Sequence, residues 1–140
     1  MLASLVLAAA CGEKKPSPES APPPAAAAAL PTGPVTPCPT CKVIEVTMTS
    51  NDKGNFFAPR EITAREGDVL RFRVILGVHN VNFLPDSNPG KSGLPPASPM
   101  LQLPSQTQDI VMNFGTGTFY FQCDPHAALG MNGHVKVEGK

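Results

Sequence analysis

Residues 69–76, which read VLRFRVIL, decide the fold. Their apolar side chains at positions 70, 72, 74 and 76 alternate with arginines at 71 and 73, which is the pattern of a strand with one buried face. Similar short runs lie on either side of this stretch, at residues 43–49, 56–64, 80–84, 108–114, 117–122 and 133–138. About seven short strands in roughly 100 residues, with no sustained helical periodicity, are typical of an antiparallel sandwich or barrel. The sequence therefore predicts an all-β domain.

Prolines and glycines mark the connections between these runs. Residues 65–68 (REGD) predict a turn directly before the central strand. Residues 85–99 contain five prolines, and proline has no N–H to donate to a strand ladder. We therefore expect a loop or a crossing segment over residues 85–99.

The first residues have the composition of an export signal. Residues 2–10 (LASLVLAAA) are apolar and end in small residues directly before Cys11. Residues 1–11 resemble a bacterial lipoprotein signal, in which the cysteine becomes the lipid-bearing first residue of the mature protein; that residue would be Cys11. The alternative is an ordinary cleaved secretory signal. With either signal we expect the domain in the periplasm or on the outer face of the cell envelope, or secreted if Cys11 carries no lipid.

Between this signal and the first strand the chain is rich in proline and alanine. Of the 17 prolines in the sequence, nine fall between Pro16 and Pro39. Such a segment cannot bury enough apolar surface to offset its ordering entropy. Residues 12–42 are therefore predicted to form a disordered linker, and residues 43–140 the folded domain.

The balance of charge excludes several classes of partner. The chain has 11 basic and 11 acidic residues, so it lacks the basic footprint of a nucleic-acid-binding protein. No apolar run approaches the about 20 residues that a membrane-spanning helix needs. We expect a monomer that binds no nucleic acid and contacts a membrane through its lipid anchor alone.

One stretch near the C-terminus carries three side chains that bind metals. Cys123, His126 and Met131 follow the run at residues 117–122, at spacings of three and five. Thiolate and thioether favour copper(I), imidazole binds copper in both oxidation states, and two histidines with a cysteine and a weak axial methionine form the blue-copper arrangement. The second histidine would be His79, just after the central strand. His134 lies in an alternating run, where we expect a solvent-facing side chain.

Together these motifs resemble those of the cupredoxins. The sequence GVHN at residues 77–80 is similar to the upstream His-Asn motif of the plastocyanin, pseudoazurin and halocyanin group. The stretch GTFYFQCDPHAALGMNG at residues 117–133 is similar to that group's signature of cysteine, two residues, histidine, four residues and methionine. The resemblance implies a Greek-key sandwich of two sheets and an electron carrier rather than an enzyme. It implies one copper ion with the ligands His79, Cys123, His126 and Met131.

The resemblance also implies roles for residues beside the ligands. Two loops would carry the ligands, one with His79 and the other with Cys123, His126 and Met131, and we call them the ligand loops. Asn80 would tie these two loops together by hydrogen bonds, and Pro125 would leave the Cys123 sulfur with one N–H donor fewer. His126 would reach the surface within an apolar patch, where a cytochrome or a membrane electron-transfer complex would dock. Asp124 is expected to be a solvated loop charge.

Cys38 and Cys41 form a separate pair. A haem attachment site would need histidine at position 42, where Lys42 stands instead. In an oxidising compartment the first expectation is a disulfide that pins the linker to the domain. A second metal clip and a dithiol contact with a partner are the alternatives.

Two functions other than electron transfer are compatible with the same residues. A copper delivery or storage protein of the cell envelope would use similar ligands, and metal exchange kinetics would separate it from a carrier. A thiol hydrolase would use Cys123 and His126. The hydrolase leaves Met131 without a role and lacks an apparent third orienting group.

Overall fold

The structure, a computed structural model, describes residues 33–140. The predicted signal, Cys11 and the first part of the predicted linker lie outside these residues. The described part contains seven strands, which are β1 (Val43–Asn51), β2 (Gly54–Ala58), β3 (Glu61–Arg65), β4 (Val69–Leu76), β5 (Thr107–Val111), β6 (Gly117–Gln122) and β7 (Asn132–Glu138). Two 3₁₀ helices, at Pro85–Ser87 and Asp124–Leu129, complete its regular elements. No helix in residues 33–140 is long and apolar enough to cross a membrane.

The strands form two sheets, which confirms the predicted all-β sandwich. One sheet has the order β2-β1-β4-β5 and the other the order β3-β7-β6. The pairing is mixed, whereas the sequence predicted antiparallel pairing, because β1 runs parallel to β4 and β3 runs parallel to β7. Parallel neighbours need a long connection. Each of these two pairs is separated along the chain by at least two other strands.

Alternating apolar side chains from both sheets fill the core. Phe57 and Phe72 of the first sheet meet Phe121 of the second edge to face, with ring centroids 5.0 and 5.4 Å from that of Phe121. The inner face of β4 is buried as the alternation predicts, except at Leu76, which is 54% exposed. A register shift in the β1–β4 pairing pairs Leu76 with Thr49. This bulge moves Leu76 to the outer face of the sheet, which corrects its predicted burial.

Residues 80–84 form no strand, which corrects the sequence prediction. Two isolated bridges, at His79 and at Asn82, join this segment to other parts of the chain. Between them, the N–H of Val81 donates to the Ser98 hydroxyl at 2.9 Å. Successive residues therefore pair with different segments, and the continuous ladder of a strand does not form.

The proline-rich segment at residues 85–99 is a loop, as predicted, with one short 3₁₀ helix. Its Asn88 covers the edge strand β6. The side chain of Asn88 accepts a hydrogen bond from the N–H of Tyr120 at 2.7 Å and donates to the Tyr120 carbonyl at 2.9 Å. A side-chain amide thus takes the place of a neighbouring strand along part of this edge.

Residues 33–42 lack regular secondary structure but contact the domain. The N–H of Val35 donates to the carboxylate of Asp109 at 2.7 Å, and the N–H of Lys42 donates to that of Asp68 at 2.8 Å. Between these contacts, a disulfide joins Cys38 to Cys41. The end of the predicted linker therefore lies against the sandwich.

The two ends of the sandwich differ in what they carry. β1 begins beside the start of β4, because Val43 pairs with Val69. We call this end, with the disulfide turn, the N-terminal end. The opposite end, where β4 and β6 finish, is the ligand-loop end. The eight residues of β4 separate the two ends by about 25 Å, at roughly 3.3 Å per residue.

Candidate metal centre

Loops at the ligand-loop end carry all four residues predicted to bind metal. His79 comes shortly after β4 and Cys123 directly after β6. His126 lies in the 3₁₀ helix that follows Cys123, and Met131 directly precedes β7. Because β4 and β6 belong to different sheets, the site forms only where both sheets end at the same place.

Gly77 turns the chain from β4 toward His79. Its φ is +103°, a conformation that side chains other than glycine rarely adopt. A Cβ at this position would lie 2.6 Å from Ser50 Oγ and 2.8 Å from His79 Nε2. Both the backbone conformation and the lack of space therefore require glycine here.

The two imidazoles and the thiol converge on one point. Nδ1 of His79 lies 3.7 Å from the Cys123 sulfur, and Nδ1 of His126 lies 3.4 Å from it. One donor atom from each of the three residues lies within 4.8 Å of the others. His79 and Cys123 are fully buried, whereas His126 is half-buried. The predicted partners from distant parts of the chain thus meet.

The contacts of His79 define which of its nitrogens is free. Nε2 lies 2.9 Å from the carbonyl oxygen of Leu76. A carbonyl can only accept, so Nε2 carries the proton and the neutral ring leaves a lone pair on Nδ1. This lone pair faces the sulfur of Cys123.

The backbone around Met131 closes the ligand loop. The N–H of Met131 donates to the His126 carbonyl at 3.1 Å, and the N–H of Cys123 donates to the Met131 carbonyl at 3.1 Å. Gly130 makes the turn between them with a φ of +86°. Met131 itself is fully buried. Its thioether is therefore kept from solvent on a loop that is bonded to both neighbouring ligands.

Burial shifts the two innermost donors toward their neutral forms. Desolvation raises the pKa of the Cys123 thiol above its ordinary value, against the opposing effect of backbone N–H groups. Desolvation also lowers the pKa of His79, although its bond to the Leu76 carbonyl acts in the other direction, and nearby His126 lowers it further. In the metal-free protein at neutral pH the site therefore holds a thiol and a neutral His79 ring. A metal ion would displace the thiol proton.

Backbone N–H groups oppose the effect of burial on the Cys123 thiol. Those of Asn80 and His126 lower the pKa of the thiol, against the larger effect of desolvation. The N–H of His126 donates to the Cys123 carbonyl at 3.0 Å. The sequence argument on Pro125 considered only the N–H that proline lacks, whereas N–H groups of the neighbouring residue and of the other ligand loop also act on the thiol. Such groups tune the electron density of a metal-binding sulfur.

Asp124 corrects a further prediction, because it is not simply a solvated charge. Its carboxylate accepts hydrogen bonds from the side-chain amides of Asn80 at 2.7 Å, Gln122 at 2.9 Å and Asn82 at 3.1 Å. The N–H of Asp124 donates back to the Asn80 side chain at 2.8 Å. Partial burial raises the pKa of Asp124, but the bonds from Gln122, Asn80 and Asn82 outweigh it and hold the pKa below its ordinary value. Asp124 and Asn80 thus join the two ligand loops.

Sequence reasoning missed the role of Asp124 for a physical reason. Asn80 and Asn82 are the only hint in the sequence, since two asparagines at alternate positions near a ligand supply amide donors. Their acceptor stands more than 40 residues later, with separations of 44 and 42 residues. Only the folded chain shows which acceptor they reach.

His134 lies away from the metal centre. Its side chain is 41% exposed on the outer face of β7, where Nδ1 lies 3.1 Å from a carboxylate oxygen of Glu61. The ring also packs edge-on against Tyr120, at 5.6 Å between centroids. These contacts join neighbouring strands.

The donor set at the ligand-loop end fits copper. A buried thiol, two imidazole nitrogens on one side of it and a buried thioether are the soft and borderline donors that copper prefers. Hard cations such as magnesium or calcium would need oxygen ligands. Within residues 33–140, the carboxylate next to Cys123 in the chain, that of Asp124, is occupied by three amide donors.

The chain is similar in sequence to known copper proteins. The family described as copper binding proteins of the plastocyanin/azurin family matches residues 44–138. Plastocyanin of Vicia faba is 33% identical over 101 residues, which cover 67% of this chain and 99% of that protein. Plastocyanin A/B of Petroselinum crispum is 33% identical over 96 residues, which cover 66% of this chain and 98% of that protein.

Solved structures agree with this result. Oxidised plastocyanin of Dryopteris crassirhizoma superposes with a TM-score of 0.56 at 26% identity, covering 68% of this chain and all of that chain. Pseudoazurin of Methylobacterium extorquens AM1 gives a TM-score of 0.50 at 25% identity, covering 70% of this chain and 76% of that chain. Copper is therefore the cofactor, and the residues that form its type 1 site are His79, Cys123, His126 and Met131. The resemblance seen in the sequence is confirmed: the chain belongs to the plastocyanin/azurin family of copper-binding proteins, the cupredoxins.

Proposed function

We propose that this cupredoxin carries single electrons between two redox proteins outside the cytoplasm, while a lipid on Cys11 holds it at a membrane. Membership of the family supports copper-dependent electron transfer in general terms. The choice of partners, the location and the anchor are the parts that we add.

The observation that carries this proposal is the convergence of buried donors, with ligand atoms of His79, Cys123 and His126 within 4.8 Å of one another. When bound, copper supplies a one-electron change between Cu(I) and Cu(II). The chain holds the donors rigidly, because each ligand loop is hydrogen-bonded to the other. Three of the four donors are buried, and four protein donors leave no open position for a substrate. This arrangement supports a carrier rather than an enzyme.

His126 is the proposed point of electron exit and entry. It is the only half-buried member of the ligand set, since the other three are fully buried. Exposed apolar side chains adjoin it in the chain or lie on the neighbouring ligand loop, with Leu129 67% and Val78 44% exposed. A small apolar surface suits the brief contacts of redox complexes, which lie at the low end of interface size. We propose that a cytochrome or a membrane redox complex docks there.

The proposed location is the periplasm or the outer face of the cell envelope. The signal-like composition of residues 1–11 supports export. The disulfide between Cys38 and Cys41 supports an oxidising compartment, where such bonds persist. Both observations support an exported domain, tethered by a linker that joins the sandwich at its N-terminal end.

Electron exchange with a soluble c-type cytochrome tests the carrier function. The copper-loaded protein is reduced, mixed with the oxidised cytochrome in a stopped-flow instrument, and assayed for copper bound before and after many cycles. We expect a bimolecular exchange with the metal retained, and slower exchange in Leu129→Asp, which places a charge in the proposed docking surface. Loss of copper to a Cu(I) chelator or to a metal-free acceptor at a rate faster than electron exchange would instead support a delivery protein.

A further inference from the structure

The end of the β1–β2 hairpin places two polar side chains on an otherwise apolar face. Val46 and Met48 of β1 and Phe57 of β2 are buried in the core. Side chains alternate along a strand, so Ser50 of β1 and Asn55 of β2 lie on this same inner face. The strand register pairs Ser50 directly with Asn55. The inner face thus ends in a pair of polar residues rather than in another apolar pair.

The bulge between β1 and β4 directs this pair toward the ligand loop. Met48 pairs with Val74, and the next residue, Thr49, pairs with Leu76. At this point β4 therefore has one more residue than β1. Ser50 is consequently brought beside Gly77, where a Cβ would lie 2.6 Å from the Ser50 hydroxyl. Bulges commonly redirect a side chain beside a functional site.

The contacts of Ser50 reach the outer nitrogen of His79. Its hydroxyl lies 2.5 Å from Asn55 Oδ1 and 3.4 Å from His79 Nε2. Asn55 Oδ1 can only accept, so the hydroxyl proton of Ser50 points to Asn55. Nε2 carries a proton, since it lies 2.9 Å from the Leu76 carbonyl. The Ser50 oxygen is therefore left as a second acceptor for the Nε2 proton of His79.

We propose that Ser50, held by Asn55, is a positioning residue for His79. The Nε2 proton is shared between the Leu76 carbonyl and the Ser50 oxygen, which lie on different strands. Two acceptors limit rotation of the ring more than one does, and they keep Nδ1 facing the Cys123 sulfur. The same two acceptors hold the ring in the Nε2-protonated form, so Nδ1 is available to a metal before one binds.

The test compares Ser50→Ala with a matched control on the same strand. Thr47→Ala removes a hydroxyl from the outer face of β1, three residues before Ser50, where Thr47 Oγ1 donates to the Ala58 carbonyl at 3.2 Å rather than to His79. In the metal-free proteins, ¹H–¹⁵N NMR of the histidine rings gives the fraction of each His79 tautomer and the solvent exchange rate of its Nε2 proton. We expect Ser50→Ala to raise that exchange rate about tenfold or more, and Thr47→Ala to leave it unchanged.

A second measurement uses the metal itself. Competition with a Cu(I) chelator gives the affinity, and the loss of a partner that orients a metal-binding histidine typically costs about 10-fold to 100-fold. We expect a loss of about 10-fold in Ser50→Ala and a smaller loss in the same direction in Asn55→Ala, which frees the Ser50 hydroxyl but keeps its oxygen. If Ser50→Ala folds poorly, the affinity of Asn55→Ala still tests the contact between Ser50 and His79.

The outcomes decide the proposal separately from the proposed function. Exchange rates and affinities in Ser50→Ala and Asn55→Ala that stay within twofold of the parent protein would overturn it. Equal changes in Thr47→Ala would do so as well, because they would show a general effect of loosening β1. Only the affinity measurement depends on copper binding, and both results stand whether or not the protein carries electrons to a cytochrome, as the proposed function requires.

Discussion

The N-terminal end and the ligand-loop end of the sandwich both bury polar groups, but they satisfy them differently. At the N-terminal end, the carboxylate of Asp109 accepts two hydrogen bonds from the Arg71 guanidinium, at 2.8 and 2.7 Å, and a third from the N–H of Val35. Asp68 accepts from two backbone N–H groups at 2.8 and 2.9 Å. These partners use the carboxylates to hold the chain in place.

At the ligand-loop end the partner of the buried histidine binds only its outward side. His79 is held through Nε2, which lies 2.9 Å from the Leu76 carbonyl. The inner atoms, Nδ1 of His79, Nδ1 of His126 and the sulfur, face one another. Structural and functional polar groups are therefore distinguished here by their partners: the structural carboxylates direct both oxygens to donors within the chain, and the functional groups keep one donor atom each for a ligand.

Removing the Cys123 sulfur should have the largest effect, and it tests the assignment of the ligand-loop end as the functional one. In Cys123→Ser the thiolate that gives the intense visible absorption of a type 1 copper site is lost, so we expect the copper-loaded protein to lose that band completely. An absorption spectrum of the oxidised protein measures this. His134→Gln serves as the control, because His134 lies outside the site, and its spectrum should match the parent. Retention of the blue colour in Cys123→Ser would contradict the assigned site.

At the N-terminal end, Asp109→Ala should reduce stability without changing the copper site. The change leaves the Arg71 guanidinium and the Val35 N–H without their buried acceptor, and breaking a buried pair costs about 3 kcal/mol. We choose the low end of the usual range because the Arg71 side chain is 27% exposed, whereas that of Asp109 is fully buried. Urea unfolding measures the loss of free energy. A shifted visible spectrum in this variant would show that the two ends are coupled, which would contradict a purely structural role for the N-terminal end.

Asp124→Ala tests whether the ligand loops depend on their mutual hydrogen bonds. The variant removes an acceptor of three side-chain amides, so we expect a loss of about 2 kcal/mol in the free energy of unfolding. Unlike Asp109→Ala, it should also shift the visible band, since Asn80 then orients the loops less firmly. Asp124→Asn keeps the size of the side chain and one acceptor oxygen, so its free energy of unfolding and its visible band should lie between those of the parent and those of Asp124→Ala. An unchanged band in Asp124→Ala would show that the loops are held by other contacts.

Met131→Leu should have a smaller effect on stability, because the two side chains have similar volumes. A swap of this kind in a core costs about 1 kcal/mol. The reduction potential and the spectrum should nevertheless change, since the axial ligand tunes both. Cyclic voltammetry and chemical unfolding of the same samples separate the two effects. Replacement of buried Met112 by leucine is the matched control, and a potential that moves equally in both variants would argue against Met131 as a ligand.

The smallest expected effect concerns the exposed ion pair between Glu45 and Arg73, which contrasts with the pair formed by the buried Asp109. The hydrogen bond from Arg73, at 2.6 Å, lowers the pKa of Glu45 below its ordinary value, although slight desolvation opposes it. A carboxyl with a lowered folded-state pKa stabilises the fold above its unfolded pKa, and this contribution is lost as the pH falls through the folded value. Because the Glu45 side chain is 48% exposed, we expect less than about 0.5 kcal/mol.

Unfolding of the parent and of Glu45→Gln at neutral and acidic pH measures this contribution. The difference between the two proteins should shrink as the pH falls and should also shrink in high salt, which screens exposed pairs. A difference that grows toward acid would contradict the direction of the pKa shift.

Much of the fold was predictable because it depends on local patterns. The runs predicted at residues 69–76 and 117–122 have the same bounds as β4 and β6. Residues 80–84 (NVNFL) also alternate, but their hydrogen bonds go to separate segments, so the same rule failed there. Leu76 was misplaced because a bulge changes which face a residue occupies, and no local pattern marks a bulge.

The donor residues of the candidate site were predictable from the sequence, but the residues that position those donors were not. Cys123, His126 and Met131 lie on one short stretch, so their spacing alone indicated a shared ligand. Asp124 and Ser50 carry no such signal, since a loop aspartate and a strand serine are common in any β protein. Their importance follows only from the contacts that they make in the folded chain.

The sequence by itself determined the class of fold, the donor chemistry and the identity of the metal, because alternation, residue type and spacing act over a few neighbouring residues. Tertiary structure decided which nitrogen of His79 faces the sulfur, which acceptor joins the two ligand loops and which strand supports the ring. Those contacts join residues up to 44 positions apart. They depend on strand register and on one bulge, which only the packing of the two sheets specifies.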